Sequence, residues 1–138
     1  MSNFILEVSS VQEDNDGKRK PLRSFRELDV WKKAIDLVEE LYRVTRLFPK
    51  DEQFVLVCRM RRSAISIPSN IAEGYGRKDR GDYRRHVSIA NGSLKELETQ
   101  VIIAGRLSLA ERDELDLSWQ LLQDVGKMLS RLLSSLSR

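Results

Sequence analysis

The chain has almost none of the residues that build metal centres or covalent cross-links. It contains one cysteine, Cys58, and one histidine, His86, in 138 residues. A lone cysteine excludes an internal disulfide and fits a reducing compartment. A lone histidine excludes a His-rich metal site within one chain, and no cysteine cluster replaces it. No cofactor is expected. No apolar run approaches the ~20 residues needed to span a bilayer. Phe4-Ile5-Leu6 has no basic region before it, so the N-terminus does not read as a signal peptide. The expected location is the cytoplasm, with no membrane partner. Glycine-rich phosphate loops are also missing. Gly74-Tyr75-Gly76 is followed by Asp79 where a dinucleotide loop needs glycine, and Gly76 and Gly81 are followed by Asp82 where a P-loop needs lysine.

What is present is charge and a repeating apolar spacing. Charged residues make up 33% and hydrophobic residues 41%, with only three prolines and seven glycines. That suits one soluble helical domain with salt-laced surfaces. The net charge is +3, but it is unevenly spread. Residues 59–85 hold eight Lys or Arg against three acids, a local charge of +5. Such a concentration favours an anionic partner more than the total does.

Residues 1–23 differ from the rest and read as an N-terminal tail or a docking arm, with an apolar patch over 4–11 followed by an acidic and a basic block. Residues 24–138 read as the folded domain. Ser24 with Glu27 has capping-box spacing and predicts the first helix start. Val30, Ala34, Leu37, Leu41, Val44 and Phe48 then form a heptad seam, which Pro49 ends. A second helix is expected from about Asp51. Its first turn (Phe54, Val55, Leu56, Cys58) is apolar nearly all round, so burial on several sides is expected. Pro68 inside this helix predicts a kink, with Ser63 or Ser66 near the freed carbonyl. Gly74 and Gly76 supply its stop. Asp79 caps a third helix carrying Tyr83, Val87, Ala90, Leu94, Leu97, Val101 and Ala104. Gly92 within it predicts close approach of a neighbouring helix. A turn over 108–112 leads to a fourth helix with Leu115, Leu122, Val125, Leu129, Leu132 and Leu136, and Ser118 in the one polar slot. Its acids cluster at the N-terminus, and Lys127 and Arg131 toward the C-terminus, as the helix dipole favours. The expected fold is all-α: an antiparallel up-down four-helix bundle with its second helix kinked at Pro68.

Several runs resemble one family. They are Phe25-Arg26-Glu27-Leu28 with Val30-Trp31-Lys32-Lys33-Ala34, then Phe48-Pro49, then RRSAISIPSNIAEGYGR, then IANGSLKELETQ. Together they resemble the bacterial four-helix-bundle proteins encoded by intervening sequences in 23S ribosomal RNA genes. The resemblance covers about residues 25–107 and is weaker in the fourth helix. It implies an up-down bundle that assembles as a homopentamer, and its biochemical role is poorly defined. A related branch, the accessory variability protein of diversity-generating retroelements, implies nucleic acid and a reverse transcriptase as further partners.

The residues themselves support three functional readings. In the first, Arg77, Lys78, Arg80, Arg84 and Arg85 at the start of the third helix hold phosphate oxygens of RNA or DNA, beside free helix-terminal amides, with Tyr75 or Tyr83 stacking on a base. In the second, the protein is a structural or interaction adaptor whose charges serve subunit contacts. Arg61, Arg62, Pro68, Asn70 and Glu73 belong to this structural set, with Glu73 and Arg77 spaced to pair on one helix face. His86 then reads as a solvated or interface histidine. In the third, Arg80 and His86, with five residues between, meet the arginine–histidine spacing of the all-helical HEPN ribonucleases, although Gly81 stands where that group usually has a polar residue. The first reading is preferred, and no enzyme is expected.

Overall fold

The computed structural model describes residues 24–137; the tail or arm expected over 1–23 lies outside them. Four helices dominate: α1 (Asp29–Thr45), α2 (Cys58–Tyr75), α3 (Arg80–Arg106) and α4 (Arg112–Leu136). Among the described residues there is no strand.

Each helix owes its place to an apolar stripe at alternating steps of three and four. The buried members are Val30, Ala34, Leu37, Leu41 and Val44 in α1, and Met60, Ala64, Ile67 and Ile71 in α2. In α3 they are Val87, Ala90, Leu94, Leu97, Val101 and Ala104, and in α4 Leu115, Leu122, Val125 and Leu129. A stripe of this width can be satisfied only by packing against two neighbours. Each helix does so, in the order α1–α2–α3–α4 and back to α1. As residue numbers rise along one helix, those of its partners fall. Ser66 meets Ser93 and Asn70 meets His86 between α2 and α3. Lys33 meets Asp124 and Arg43 meets Glu114 between α1 and α4. The α1–α2 and α3–α4 connections therefore lie at one end of the bundle. The α2–α3 connection lies at the other, beside the end of α4.

The approaches to the helices differ from the sequence expectation in two places. Ser24 caps a 3-10 turn (Phe25–Glu27), not α1, and its hydroxyl accepts the Arg26 N–H at 3.2 Å. Leu28 is extended, and α1 begins only at Asp29. Before α2 the departure is larger. A 3-10 turn (Lys50–Glu52) passes into a π turn (Gln53–Val57). A π turn is wider than an α turn, so fewer of its residues return to the core side. Only Val57 is buried, whereas Phe54 is 92% and Val55 59% exposed and Cys58 is also exposed. The expected burial of that apolar turn is thus corrected. α1 also stops at Thr45, although Phe48 still reaches the core from the turn beyond it. The Gln53 amide closes that end by donating to the Thr45 and Phe48 carbonyls at 3.2 and 3.4 Å.

α2 runs on as α-helix through the buried Pro68. Close helix approach falls at Gly74, not at Gly92. A Cβ on Gly74 would lie 2.7 Å from the His86 Cβ, while one on Gly92 would meet nothing within 4 Å. Gly92 faces solvent because its position lies outside the α3 stripe. The two glycines should therefore respond oppositely to alanine. Gly74→Ala is expected to destabilise by about 1–3 kcal/mol through overpacking. Gly92→Ala should stabilise by about 0.5–1 kcal/mol through helix propensity. Urea unfolding of both variants checks this, and equal effects would contradict the packing.

Candidate nucleic-acid interface

The α2–α3 connection is only four residues long, which forces its charges together. Gly76 ends α2, its N–H returning to the Ala72 carbonyl at 3.2 Å. Asp79 caps α3, accepting the Gly81 N–H at 3.0 Å. Arg77 and Lys78 fall in the connection, and Arg80, Arg84 and Arg85 in the first turns of α3. All five are exposed. Asp79 and Asp82 are the only acids over residues 77–85, so five cations face two anions there.

The five have different attachments. Arg77 pairs with Glu73 at 3.0 Å, both side chains being about half exposed. Such a pair contributes roughly 0–1 kcal/mol and leaves the guanidinium accessible. Arg80 reaches back to α4, its guanidinium donating to the Leu136 carbonyl at 3.3 Å and also to that of Ser135. It satisfies carbonyls that the end of a helix leaves unpaired, at the negative pole of the helix dipole. Lys78, Arg84 and Arg85 have no counter-ion among the described residues.

The tyrosines beside this cluster brace its corner. Tyr75 and Tyr83 meet edge to face with ring centroids 5.9 Å apart. Tyr83 also packs against Gly74. Burial, and secondarily Tyr75, push the Tyr83 phenol above its usual value of 10.0.

His86 corrects the solvated reading. It is 6% exposed, because the missing side chain at Gly74 lets α3 bring it close against α2. Its Nδ1 lies 3.4 Å from Asn70 Oδ1. The Asn70 amide donates to the Ser66 carbonyl at 2.9 Å and to its hydroxyl at 3.0 Å, and that hydroxyl meets Ser93 at 2.8 Å. The result is a polar seam between α2 and α3. Arg80 and His86 thus serve different partners: one caps α4 and the other is held against α2.

At the opposite end, Arg61 fastens α2 to α1. It donates to Thr45 Oγ1 at 3.0 Å and to the Tyr42 carbonyl at 3.4 Å, with its guanidinium 4.4 Å from the Tyr42 ring centroid. Arg62, one residue on, is exposed. A clamp absent from the sequence reading joins α1 to α4. Arg43 grips the buried Glu40 through two nitrogens and reaches Glu114 at 3.2 Å. The i,i+3 spacing of Glu40 and Arg43 is its local signal; Glu114 has none. No group of His, Cys, Asp and Glu suited to a metal ion occurs among the described residues. Nor is any helix there long and apolar enough to cross a membrane.

Residues 26–131 match the family described as 23S rRNA-intervening sequence protein. The chain belongs to that family. The match runs through most of α4, where the sequence resemblance is weak. A similar solved structure is that of a protein of unknown function from the S23 ribosomal protein family of Bacteroides thetaiotaomicron VPI-5482. It has a TM-score of 0.70 and 20% identity, and the alignment covers 75% of this chain and 97% of that one. At that identity the likeness shows the fold alone. None of the curated proteins matches the chain.

In this family member the half-buried phenol gives a measurable pH response. Burial favours the neutral ring, so the folded chain holds the Tyr83 proton to higher pH than the unfolded chain does. The resulting stability is complete below pH 10.0 and lost as pH rises above it. Denaturation midpoints followed through that range should fall more steeply for the wild type than for Tyr83→Phe; identical slopes would contradict the burial.

Proposed function

We propose that this chain is a non-catalytic binding protein that assembles with copies of itself and holds the phosphates of RNA or DNA at the α2–α3 end. The carrying observation is where the bundle places its exposed side chains. Lys78, Arg84 and Arg85 stand exposed at one end, without counter-ions among the described residues. Phe54, Val55, Leu47, Leu107 and Leu117, all exposed, gather at the other. Lone exposed apolar residues are ordinary, but a collection at one end supports a contact surface. Self-assembly of the kind implied by the family resemblance would use the apolar end and leave the basic one open. Repetition around a ring would then turn one weak cationic site into a multivalent one. The exposure of Phe54 also supports the adaptor reading, in which the apolar end receives a partner protein, for example a nucleic-acid enzyme.

Binding of this kind is electrostatic and falls steeply with salt. Fluorescence anisotropy with labelled RNA and DNA should show it at low ionic strength. Lys78→Gln, Arg84→Gln and Arg85→Gln together should flatten the logarithmic salt dependence by about one per residue removed. Arg59→Gln, at the opposite end, should leave it unchanged. No binding by the wild type at low salt sinks the proposal. Light scattering tests the other half: Phe54→Asp should lower the assembled mass, and an unchanged mass removes the apolar end from self-assembly.

A further inference from the structure

A second set of cations lies along the bundle from that cluster. Across the α3–α4 face, Lys95, Glu98, Gln123, Lys127, Ser130 and Arg131 border a shallow groove. Its floor is shallow because the helices come close at Gly126, where a Cβ would lie 3.2 Å from Leu94 Cδ2. Lys127 and Arg131 are one turn apart on α4, exposed, and without a counter-ion among the described residues. Lys95 faces them from α3. The groove has one acid, Glu98, which is mostly covered, pairs with Lys95 at 3.5 Å and accepts from the Gln123 amide. Asp124, the nearest other acid on α4, turns away to Lys33 of α1 at 3.9 Å.

The groove is continuous with the α2–α3 end. Arg84 and Lys95 are eleven residues apart on α3, which returns them to one helix face about 16 Å apart. Arg84 lies level with the last turns of α4, just beyond Arg131, since Arg80 touches Ser135 and Leu136. The exposed residues between are small or polar: Ser88 on α3, Ser130 and Ser134 on α4. No aromatic side chain lines the groove. Proteins that take single strands combine such a channel with rings on which bases stack.

We infer that Lys95, Lys127 and Arg131 extend the phosphate site along the α3–α4 face, and that the ligand is a double-stranded nucleic acid held by its backbone. This rests on the binding proposed above, which it gives a path and a ligand form. A duplex presents its phosphates outward and keeps its bases stacked, so a groove without rings suits it better than a loose strand.

The test measures anisotropy of short DNA and RNA duplexes, and of their separated strands, with the full chain. Lys95→Gln, Lys127→Gln and Arg131→Gln are made singly and together, and thermal melting checks that each variant folds. The triple variant should flatten the logarithmic salt dependence for duplexes by about three, and each single variant by about one. Duplexes should bind at least as tightly as their strands. If all groove variants bind duplex like the wild type while the Lys78, Arg84 and Arg85 variant does not, the groove is overturned and the end site stands. If strands bind roughly tenfold more tightly than duplexes, the ligand form is overturned. If the wild type binds neither, both inferences fall.

Discussion

The close approach of α2 and α3 at Gly74 sets the geometry of the charged end. With no side chain at that position, α3 packs its His86 against the α2 backbone, and a four-residue connection suffices to join the two helices. The short connection then leaves Arg77, Lys78 and the first turns of α3 no room to spread. Their mutual repulsion is opposed by the buried stripes of α2 and α3 and by the polar seam through Asn70, Ser66 and Ser93. A cationic cluster is thus a by-product of helix packing as much as of composition.

The basic residues of this chain fall into two kinds that composition does not distinguish. Arg43, Arg61 and Arg80 are fasteners. Each spends its planar fork on a carboxylate, a hydroxyl or helix-end carbonyls of a neighbouring element. Arginine suits this because its donors are fixed in one plane and it never loses its charge. Lys78, Arg84 and Arg85, with Lys127 and Arg131 along the bundle, project outward. A tally of positive charge overstates what is available to a partner, because the fasteners are already committed.

The stripes were plain in the sequence. Val30 to Val44, Val87 to Ala104 and Leu115 to Leu129 are buried at the spacing that periodicity requires. Periodicity reports which side of a helix is apolar, but not how wide a turn is. Phe54 and Val55 therefore looked like core until the π turn carried them outside. Nor does local spacing measure the distance to a neighbour, which is why the close approach expected at Gly92 falls at Gly74 instead. The cations at the α2–α3 end were legible because all five fall within residues 77–85. The use of Arg80 on a helix end more than fifty residues away was not, and His86 read as solvated or at an interface because its cover comes from an absence at Gly74.

The placing of exposed apolar residues at one end and of the Lys78, Arg84 and Arg85 cluster at the other has a further consequence for how the molecule responds to its medium. Added sulfate or phosphate strengthens effective burial of apolar surface, while any added salt screens and competes for cations. Phe54 and Val55 would thus be driven toward contact under the same conditions that silence Arg84 and Arg85. Were both proposed contacts made, concentrated sulfate or phosphate would favour the apolar end over the cationic one. Preparations kept in concentrated salt and in dilute buffer would display different halves of the same molecule.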